Sequence, residues 1–343
     1  MMRACILVKQ GLIELRNDVD IPILGPNDVL VEVKSALTCG TDLKAYRRGH
    51  HLMPTPTLFG HEFSGTIVDK GNKVSRFEVG QSVMSVHTAP CQECIYCKRS
   101  LENLCPHLTQ TMVLGAYAEY VRVPGPVVDT NMYLKDDNLD FSEAAMLEPL
   151  SCVVYGISQA PLRSADSAVV IGAGAIGQLH VMVLKELGVK KVIVTGRHDY
   201  RLNMAKQVGA DCIIDSSKEN ATEAILEETD GLGAPIVFEC TGLPNVWEEA
   251  ITMVMRGGYL ILFGGCPGGT SVTYDTARIH YDQLTLKGMF HFTPEAVNQA
   301  YKLLSEGRLD VSPLITESRK LEDVPNTFKN FQGKATMKYA IIP

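Results

Sequence analysis

The sequence predicts an α/β protein of two domains: a β-rich one, and a doubly wound sheet of six parallel strands. Three observations predict it. The 343 residues suffice for two domains, each with its own core. Residues 1–150 are rich in Val, Gly and Pro, in short alternating runs separated by turn signals. From Ala168 onward, strand and helix patterns alternate through six candidate strands.

In the first domain, Val29-Leu30-Val31-Glu32-Val33 and Gly65-Thr66-Ile67-Val68 read as strands, with turns at Gly25-Pro26-Asn27-Asp28 and Gly71-Asn72. Asp140, with Glu143 three residues later, has the spacing of a capping box. It is expected to open an apolar helix that runs past Pro149 toward Gly156 and bridges the domains. The six strands are Ala168–Ile171, Lys191–Thr195, Cys212–Ile214, Ile236–Glu239, Tyr259–Phe263 and Leu284–Lys287. Gly188 and Gly209 close the intervening helices as C-terminal glycines do. Two amphipathic helices, about Glu295–Glu306 and Leu321–Phe331, precede a last strand, Lys338–Ile342. The six-stranded sheet is complete by then, so the tail is expected to return to the first domain.

Composition narrows the function. Hydrophobic residues make up 45%, charged residues 21%, and the net charge is -7, the profile of a soluble globular protein. Such a balance argues against a nucleic-acid footprint or a polybasic membrane patch. The five apolar residues near Met1 are too few for a signal-peptide core, and no run is long enough to span a bilayer. A cytoplasmic location is expected.

The segment Ile171-Gly172-Ala173-Gly174-Ala175-Ile176-Gly177 contains GxGxxG between an apolar strand and an amphipathic helix. In that context the glycines mark a dinucleotide site of the Rossmann type. Gly172 permits the tight turn, Gly174 lets backbone approach a pyrophosphate, and Gly177 lets helix pack on strand. Ala175 and Ile176 begin the helix whose positive end receives the pyrophosphate. An NAD site usually offers a carboxylate at the end of the second strand. Here Gly196 stands there, followed by Arg197, with Arg201 nearby. Guanidinium pairs with a ribose phosphate where a carboxylate would repel it, so NADP is expected to be favoured over NAD. The alternative is that Arg197 is a surface charge and Asp199 supplies the missing acid.

Four of the ten cysteines, Cys91, Cys94, Cys97 and Cys105, fall in one short loop. In a reducing compartment this spacing fits four-thiolate zinc, a closed shell that staples a loop. An iron–sulfur cluster also uses four cysteines, but nothing else in the chain suggests electron transfer. A second, dispersed set comprises Cys39-Gly40-Thr41-Asp42, Gly60-His61-Glu62 and Glu148-Pro149-Leu150. Thiolate, imidazole and carboxylate together can form a catalytic zinc shell with one open position.

These motifs, with Gly60–Gly65, Gly115–Tyr120, Glu148–Ser151 and Glu239-Cys240-Thr241-Gly242, resemble the zinc-dependent medium-chain dehydrogenase/reductase family over essentially the whole chain. The resemblance is to its sorbitol (polyol) and threonine dehydrogenase branch. It implies a GroES-like catalytic domain of residues 1–152 plus 290–343 around a cofactor domain of residues 153–289. It implies one catalytic and one structural zinc, with Cys39 and His61 on the catalytic one and either Glu62 or Glu148 completing the shell. It implies a place for Thr241 at the cofactor, and hydride transfer between a secondary alcohol and the nicotinamide. Thr41 resembles the family's proton-relay hydroxyl. Where relatives place a histidine three residues later, this chain has Lys44, with His50 and His51 further along.

The expected substrate is a polyol or sugar-derived secondary alcohol, or else a simple ketone or aldehyde, or an amino alcohol. An arginine frequent in polyol dehydrogenases is missing from Gly288-Met289-Phe290-His291-Phe292, where His291 offers fewer donors. A non-catalytic nucleotide sensor or a retired enzyme would be expected to lose Cys39, His61, Glu62 or Glu148, and all four are present. The resemblance also implies a homo-oligomer, dimer or tetramer, paired near Tyr259–Gly265 and Leu284–Lys287.

Overall fold

A computed structural model describes residues 1–162, 167–331 and 336–343. It divides into two compact units, Met1–Ser151 with Phe292–Pro343, and Cys152–His291. The chain opens on the antiparallel pair β1 (Met2–Lys9) and β2 (Leu12–Val19). There follow β3 (Val29–Leu37), α1 (Gly40–Arg48), β4 (Thr57–Leu58), β5 (Glu62–Lys70), β6 (Ser82–Ser85), β7 (Tyr120–Val123), α2 (Gly125–Asn131) and β8 (Met132–Leu134). Strand β3 pairs with both β5 and β7 and is buried along most of its length. Its two residues that are not fully buried, Glu32 and Lys34, are its only charged ones.

The capping box forms as the sequence predicts: the Asp140 side chain accepts from the Glu143 backbone, and Glu143 accepts from Asp140 N. The single helix expected after it does not. It is two helices, α3 (Phe141–Ala144) and α4 (Leu147–Ser158), broken at Ala145 and Met146. Pro149 supplies the reason. It has no N–H, and its ring would collide with the carbonyl of Ala145 in a continuous helix. As the third residue of α4 it sits where that N–H is not needed.

In the second unit, β9 (Ser167–Ile171), α5 (Ala175–Glu186), β10 (Lys191–Gly196), α6 (Asp199–Gln207), β11 (Cys212–Asp215), α7 (Ala221–Glu228), β12 (Ala234–Glu239), α8 (Pro244–Ala250), β13 (Val254–Leu262), α9 (Thr276–Tyr281) and β14 (Thr285–Gly288) alternate. The strands form one parallel sheet in the order β11-β10-β9-β12-β13-β14. The strand order reverses beside β9, which places the glycine loop at the switch point where such sheets bind ligands.

The remaining chain adds α10 (Pro294–Ser305), β15 (Ile315–Lys320), α11 (Val324–Lys329) and β16 (Lys338–Ile342). The helix expected over Leu321–Phe331 is a 3₁₀ turn, Leu321–Asp323, followed by the short α11. Strand β15 escapes the sequence reading because its residues are largely half-exposed or exposed and polar. Strand β16 returns to the first unit as expected, antiparallel to β3 through Ala340–Leu37 and Ile341–Ala36.

His180, on α5, is fully buried among Phe238, Phe263 and Cys240. Its Nδ1–H donates to Ile176 O at 2.9 Å, and Nε2 has no partner. Burial lowers its pKa to about 4, against a smaller upward pull from that hydrogen bond. The unfolded chain therefore binds this proton more readily, near an ordinary value of about 6.5. The stability His180 contributes is full above about pH 6.5 and falls away toward pH 4, by about 3 kcal/mol in all. His180→Met should lose less stability on acidification than the wild type. Melting curves between pH 7 and pH 4.5 check this, and parallel losses in the two proteins would refute it.

Candidate active site and metal centres

Two paired strands assemble the dispersed donor set. Leu37 at the end of β3 lies opposite Glu62 at the start of β5. Cys39, just past β3, and His61, just before β5, therefore emerge at the same end of the sheet. Cys39 caps α1, its Sγ accepting from Thr41 N at 3.3 Å. One donor atom each from Cys39, His61 and Glu62 lies within 4.8 Å of the others. Gly60 makes this corner possible. Its φ is +89°, and an added Cβ would fall 2.9 Å from the buried ring of Tyr117.

Asp42 orients the imidazole. Its Oδ1 lies 3.0 Å from His61 Nδ1, and its Oδ2 accepts from the Tyr117 hydroxyl at 2.6 Å. A carboxylate can only accept, so Nδ1 carries the hydrogen and Nε2 keeps its lone pair for a metal. Burial opposes charge on His61, but Asp42 and then Cys39 outweigh it and raise the imidazole pKa well above its ordinary value. Metal binding at this set must therefore displace protons.

Glu62 is held from behind. Lys338, on β16, donates to both its oxygens at 2.8 and 2.6 Å and to Thr38 O at 3.1 Å, which uses all three ammonium protons. Both side chains are buried. Burial works against the lysine charge, but Glu62 restores it and raises the Lys338 pKa. The pair is an ion pair. Glu148, on α4, lies outside the three-donor group and faces His87, with Oε1 3.3 Å from Nδ1. The His87 ring packs edge-on against His61 and Phe292. Burial lowers the His87 pKa, with Glu148 opposing, so this imidazole is neutral.

The four-cysteine loop gathers as its spacing predicts, with the sulfurs of Cys91, Cys94, Cys97 and Cys105 within 4.8 Å of one another. A tetrahedral zinc with sulfurs at about 2.3 Å needs sulfur separations of about 3.8 Å, and the 3.5 Å between Cys94 and Cys97 is near that. Backbone N–H groups of Cys94 and Cys91 donate to the sulfurs of Cys91 and Cys105, both at 3.4 Å. Such donors favour thiolate. Backbone donors, that of Glu93 first, lower the Cys91 pKa to about 6, whereas burial raises Cys97 to about 12 and raises Cys105 as well, so this set must shed protons on taking up a metal. Both donor sets suit zinc in residue type and reach.

At the glycine loop, Gly172 has φ +105°, and an added Cβ on Gly177 would fall 2.0 Å from Gly172 O. Gly174 caps α5, so the backbone of Ala175, Ile176 and Gly177 forms its first turn. The Thr241 methyl lies against Gly172, and its hydroxyl donates to the buried Glu239. Gly196 ends β10 and Arg197 is exposed beside it. Arg201, on α6, reaches back over the loop, with Nη1 3.7 Å from a Cβ built on Gly174. Asp199 is exposed and paired with Lys218 at 3.0 Å.

Asp42, Tyr117, His87 and Lys338 were not assigned roles from sequence. Asp42 lay inside a quoted motif. Lys338 carried a usable signal, a lone cation opening an otherwise apolar strand. So did Gln178, whose Nε2 clamps Ala173 O and Arg201 O, both at 2.9 Å.

A sheet wound for a dinucleotide, with a thiolate–imidazole–carboxylate set and a four-thiolate loop, defines a zinc-binding, nicotinamide-linked alcohol dehydrogenase. The model of the alcohol dehydrogenase GroES-like domain matches residues 25–129, and that of the zinc-binding dehydrogenase matches residues 175–306. The chain belongs to the zinc-dependent medium-chain dehydrogenase/reductase family, in its polyol and threonine dehydrogenase-like branch. It is 31% identical to L-threonine 3-dehydrogenase of Bacillus subtilis over 95% of this chain and 94% of that one. It is 32% identical to D-arabitol-phosphate dehydrogenase of Enterococcus avium, covering 91% and 88%. Among solved structures, a protein of Sinorhizobium meliloti classed as a zinc-binding dehydrogenase and bound to NADP superposes with a TM-score of 0.91, at 28% identity, covering 100% and 99%. The chain is an NAD(P)-linked alcohol oxidoreductase.

Lys338→Met leaves the Glu62 carboxylate buried without its partner. Breaking one side of a buried ion pair costs about 3–5 kcal/mol. Denaturation of the zinc-stripped protein should show a loss of that order. A loss below about 1 kcal/mol would mean that the pair does not anchor β16.

Proposed function

We propose that the chain holds two zinc ions with different tasks, favours NADP, and interconverts a polyol-type secondary alcohol and its ketone. The observation that carries the catalytic assignment is the three-donor set Cys39, His61 and Glu62. Three protein donors suit a catalytic zinc with an open position, and four thiolates suit a structural one. When bound, the catalytic zinc supplies Lewis-acid polarisation of the substrate oxygen and the nicotinamide supplies the hydride acceptor. The chain's own residues do the rest. Asp42 fixes His61 in the tautomer that binds metal, and Lys338 fixes Glu62. Glu148, held near His87, is the reserve carboxylate of the same pocket. Thr41, in the first turn of α1 beside Cys39, accepts the substrate proton at Oγ1 as its own hydroxyl proton passes to solvent water.

NADP preference rests on charge at the end of β10. Arg201 is half-buried, its Nε is unpaired, and burial lowers its pKa, with no carboxylate opposing. A desolvated guanidinium in that state calls for an anion. The nearby acids are already answered: Lys218 pairs with Asp199 at 3.0 Å and with Asp215 at 2.7 Å. Lys218 is the largest cause of an Asp215 pKa lowered to about 2. This disfavours the reading in which Asp199 binds an NAD ribose.

Purified protein should contain two zinc ions per chain and turn over polyols faster with NADP than with NAD. Arg197→Ala combined with Arg201→Ala should lower kcat/KM for NADP by about 10- to 100-fold, the worth of one charge-assisted hydrogen bond or more. An unchanged ratio of NADP to NAD efficiency would overturn the preference. Thr41→Val should cut turnover by about 100-fold or more with both zinc ions retained. Unaltered turnover would remove Thr41 from the proton path.

A further inference from the structure

The turns that follow β12 and β13 share a buried acid that the chemistry above does not use. Glu239 ends β12, and its side chain is fully buried. Strand β12 lies beside β9, whose end carries the glycine loop, and it opens the half of the sheet formed by β12, β13 and β14. A doubly wound sheet takes a dinucleotide across the crevice between its halves. The half formed by β9, β10 and β11 carries the glycine loop and Gly196, so it faces the adenosine end of the cofactor. The turns after β12 and β13 therefore face the nicotinamide end.

The Glu239 carboxyl is held by donors. Its Oε1 accepts from Thr241 N at 2.7 Å, from the Thr241 hydroxyl and from Gly242 N at 3.2 Å. Its Oε2 accepts from Gly242 N at 3.1 Å. Donors on both oxygens suit the carboxylate form. Burial raises its pKa, and hydrogen bonds from Thr241, Gly242 and Trp247 oppose that. The Glu239 backbone reaches the second turn, its carbonyl accepting from Phe263 N at 2.9 Å and Gly264 N at 2.8 Å. Trp247, on α8, donates from Nε1 to Gly264 O at 3.0 Å. The two turns touch. Gly242 has φ +69°, and a Cβ added there would fall 2.5 Å from Gly265 O. A Cβ on Gly264 would fall 2.3 Å from Gly242 N and 2.9 Å from Glu239 Oε2. On its other side the first turn meets the glycine loop: Cys240 N donates to Ile171 O at 2.9 Å, and the Thr241 methyl lies 2.8 Å from a Cβ built on Gly172. Desolvating a charge opposes folding, and an apolar side chain would cover these turns without that penalty. What the carboxylate adds is a fixed place for each donor around it.

We propose that Glu239 is a positioning residue for the nicotinamide half of the cofactor: its carboxylate holds the turns after β12 and β13 together as one wall, against which that half is seated. Glu239 acts through Thr241, Gly242 and Gly264 and is not itself a contact of the cofactor. The inference rests on nicotinamide-linked chemistry and is independent of the preference for NADP over NAD. Glu239→Gln keeps the size of the side chain but turns an NH2 group toward N–H donors, so the wall loses its anchor while the strands keep their packing.

The test is calorimetric titration of the full-length, zinc-replete protein with NAD, with NADP and with ADP, which carries the adenosine half alone. In Glu239→Gln the Kd of the better-bound dinucleotide should rise about tenfold or more, the worth of one charge-assisted hydrogen bond. The Kd of ADP should stay within about twofold, a split that a merely structural role would not produce. Trp247→Phe removes the donor to Gly264 O from outside the carboxylate. It should weaken the dinucleotide about fivefold and spare ADP in the same way, and it decides the matter if Glu239→Gln does not fold. Equal weakening of ADP and dinucleotide would mean that the carboxylate only keeps the sheet in shape, and unchanged binding of both would mean that the wall does not need it. Either result overturns the proposal and leaves the dehydrogenase reading standing. Failure of the unaltered protein to bind either dinucleotide would overturn the cofactor reading and this proposal with it.

Discussion

The ion pair between Lys338 and Glu62 is the constraint on which the catalytic unit depends. It joins the last strand of the chain to a donor of the metal pocket across 276 positions of sequence. Two charges taken out of water cost several kcal/mol each before their attraction repays anything. A pair of apolar side chains would stabilise the fold as well or better, so the pair is retained for what it positions. Lys338 holds both oxygens of Glu62, and its third proton reaches Thr38, one residue before Cys39. One ammonium thus orders the carboxylate and steadies the backbone that carries the thiolate. Asp42 does the corresponding work for His61 and is itself fixed by Tyr117, which leans on Gly60.

The two donor sets differ in how the chain reaches them. The four cysteines lie within one loop, and N–H donors from the same loop reach the sulfurs of Cys91 and Cys105. Such a site staples local backbone and leaves no position for substrate. The dispersed set draws on β3, α1, β5 and β16. Its donors are backed by Asp42, Tyr117 and Lys338. Pre-organised ligands and partners behind them are what catalysis requires of a metal site.

Much of this was legible in sequence. The six parallel strands follow from alternating patterns around one glycine fingerprint, while their order comes from the tertiary structure. The capping box at Asp140 and the returning strand Lys338–Ile342 appear where local spacing put them. The continuous helix through Pro149 does not. There the apolar period was right, but a single ring clash with the Ala145 carbonyl decided the break. Strand β15 was missed because it carries a polar, half-exposed sequence and is ordered by its neighbour β16.

The sequence alone determined the chemistry present: four cysteines at metal spacing, the thiolate, imidazole and carboxylates of the second set, and a glycine loop that only close backbone packing explains. These are local facts, carried by residue type and short spacing. Tertiary structure alone puts Glu62 rather than Glu148 within 4.8 Å of the Cys39 and His61 donor atoms, because the two glutamates are equivalent as residue types and differ in where β5 and α4 place them. It alone brought Lys338 to Glu62. Contacts between residues far apart in sequence are set by strand register and burial, and neither is written in the spacing of a motif.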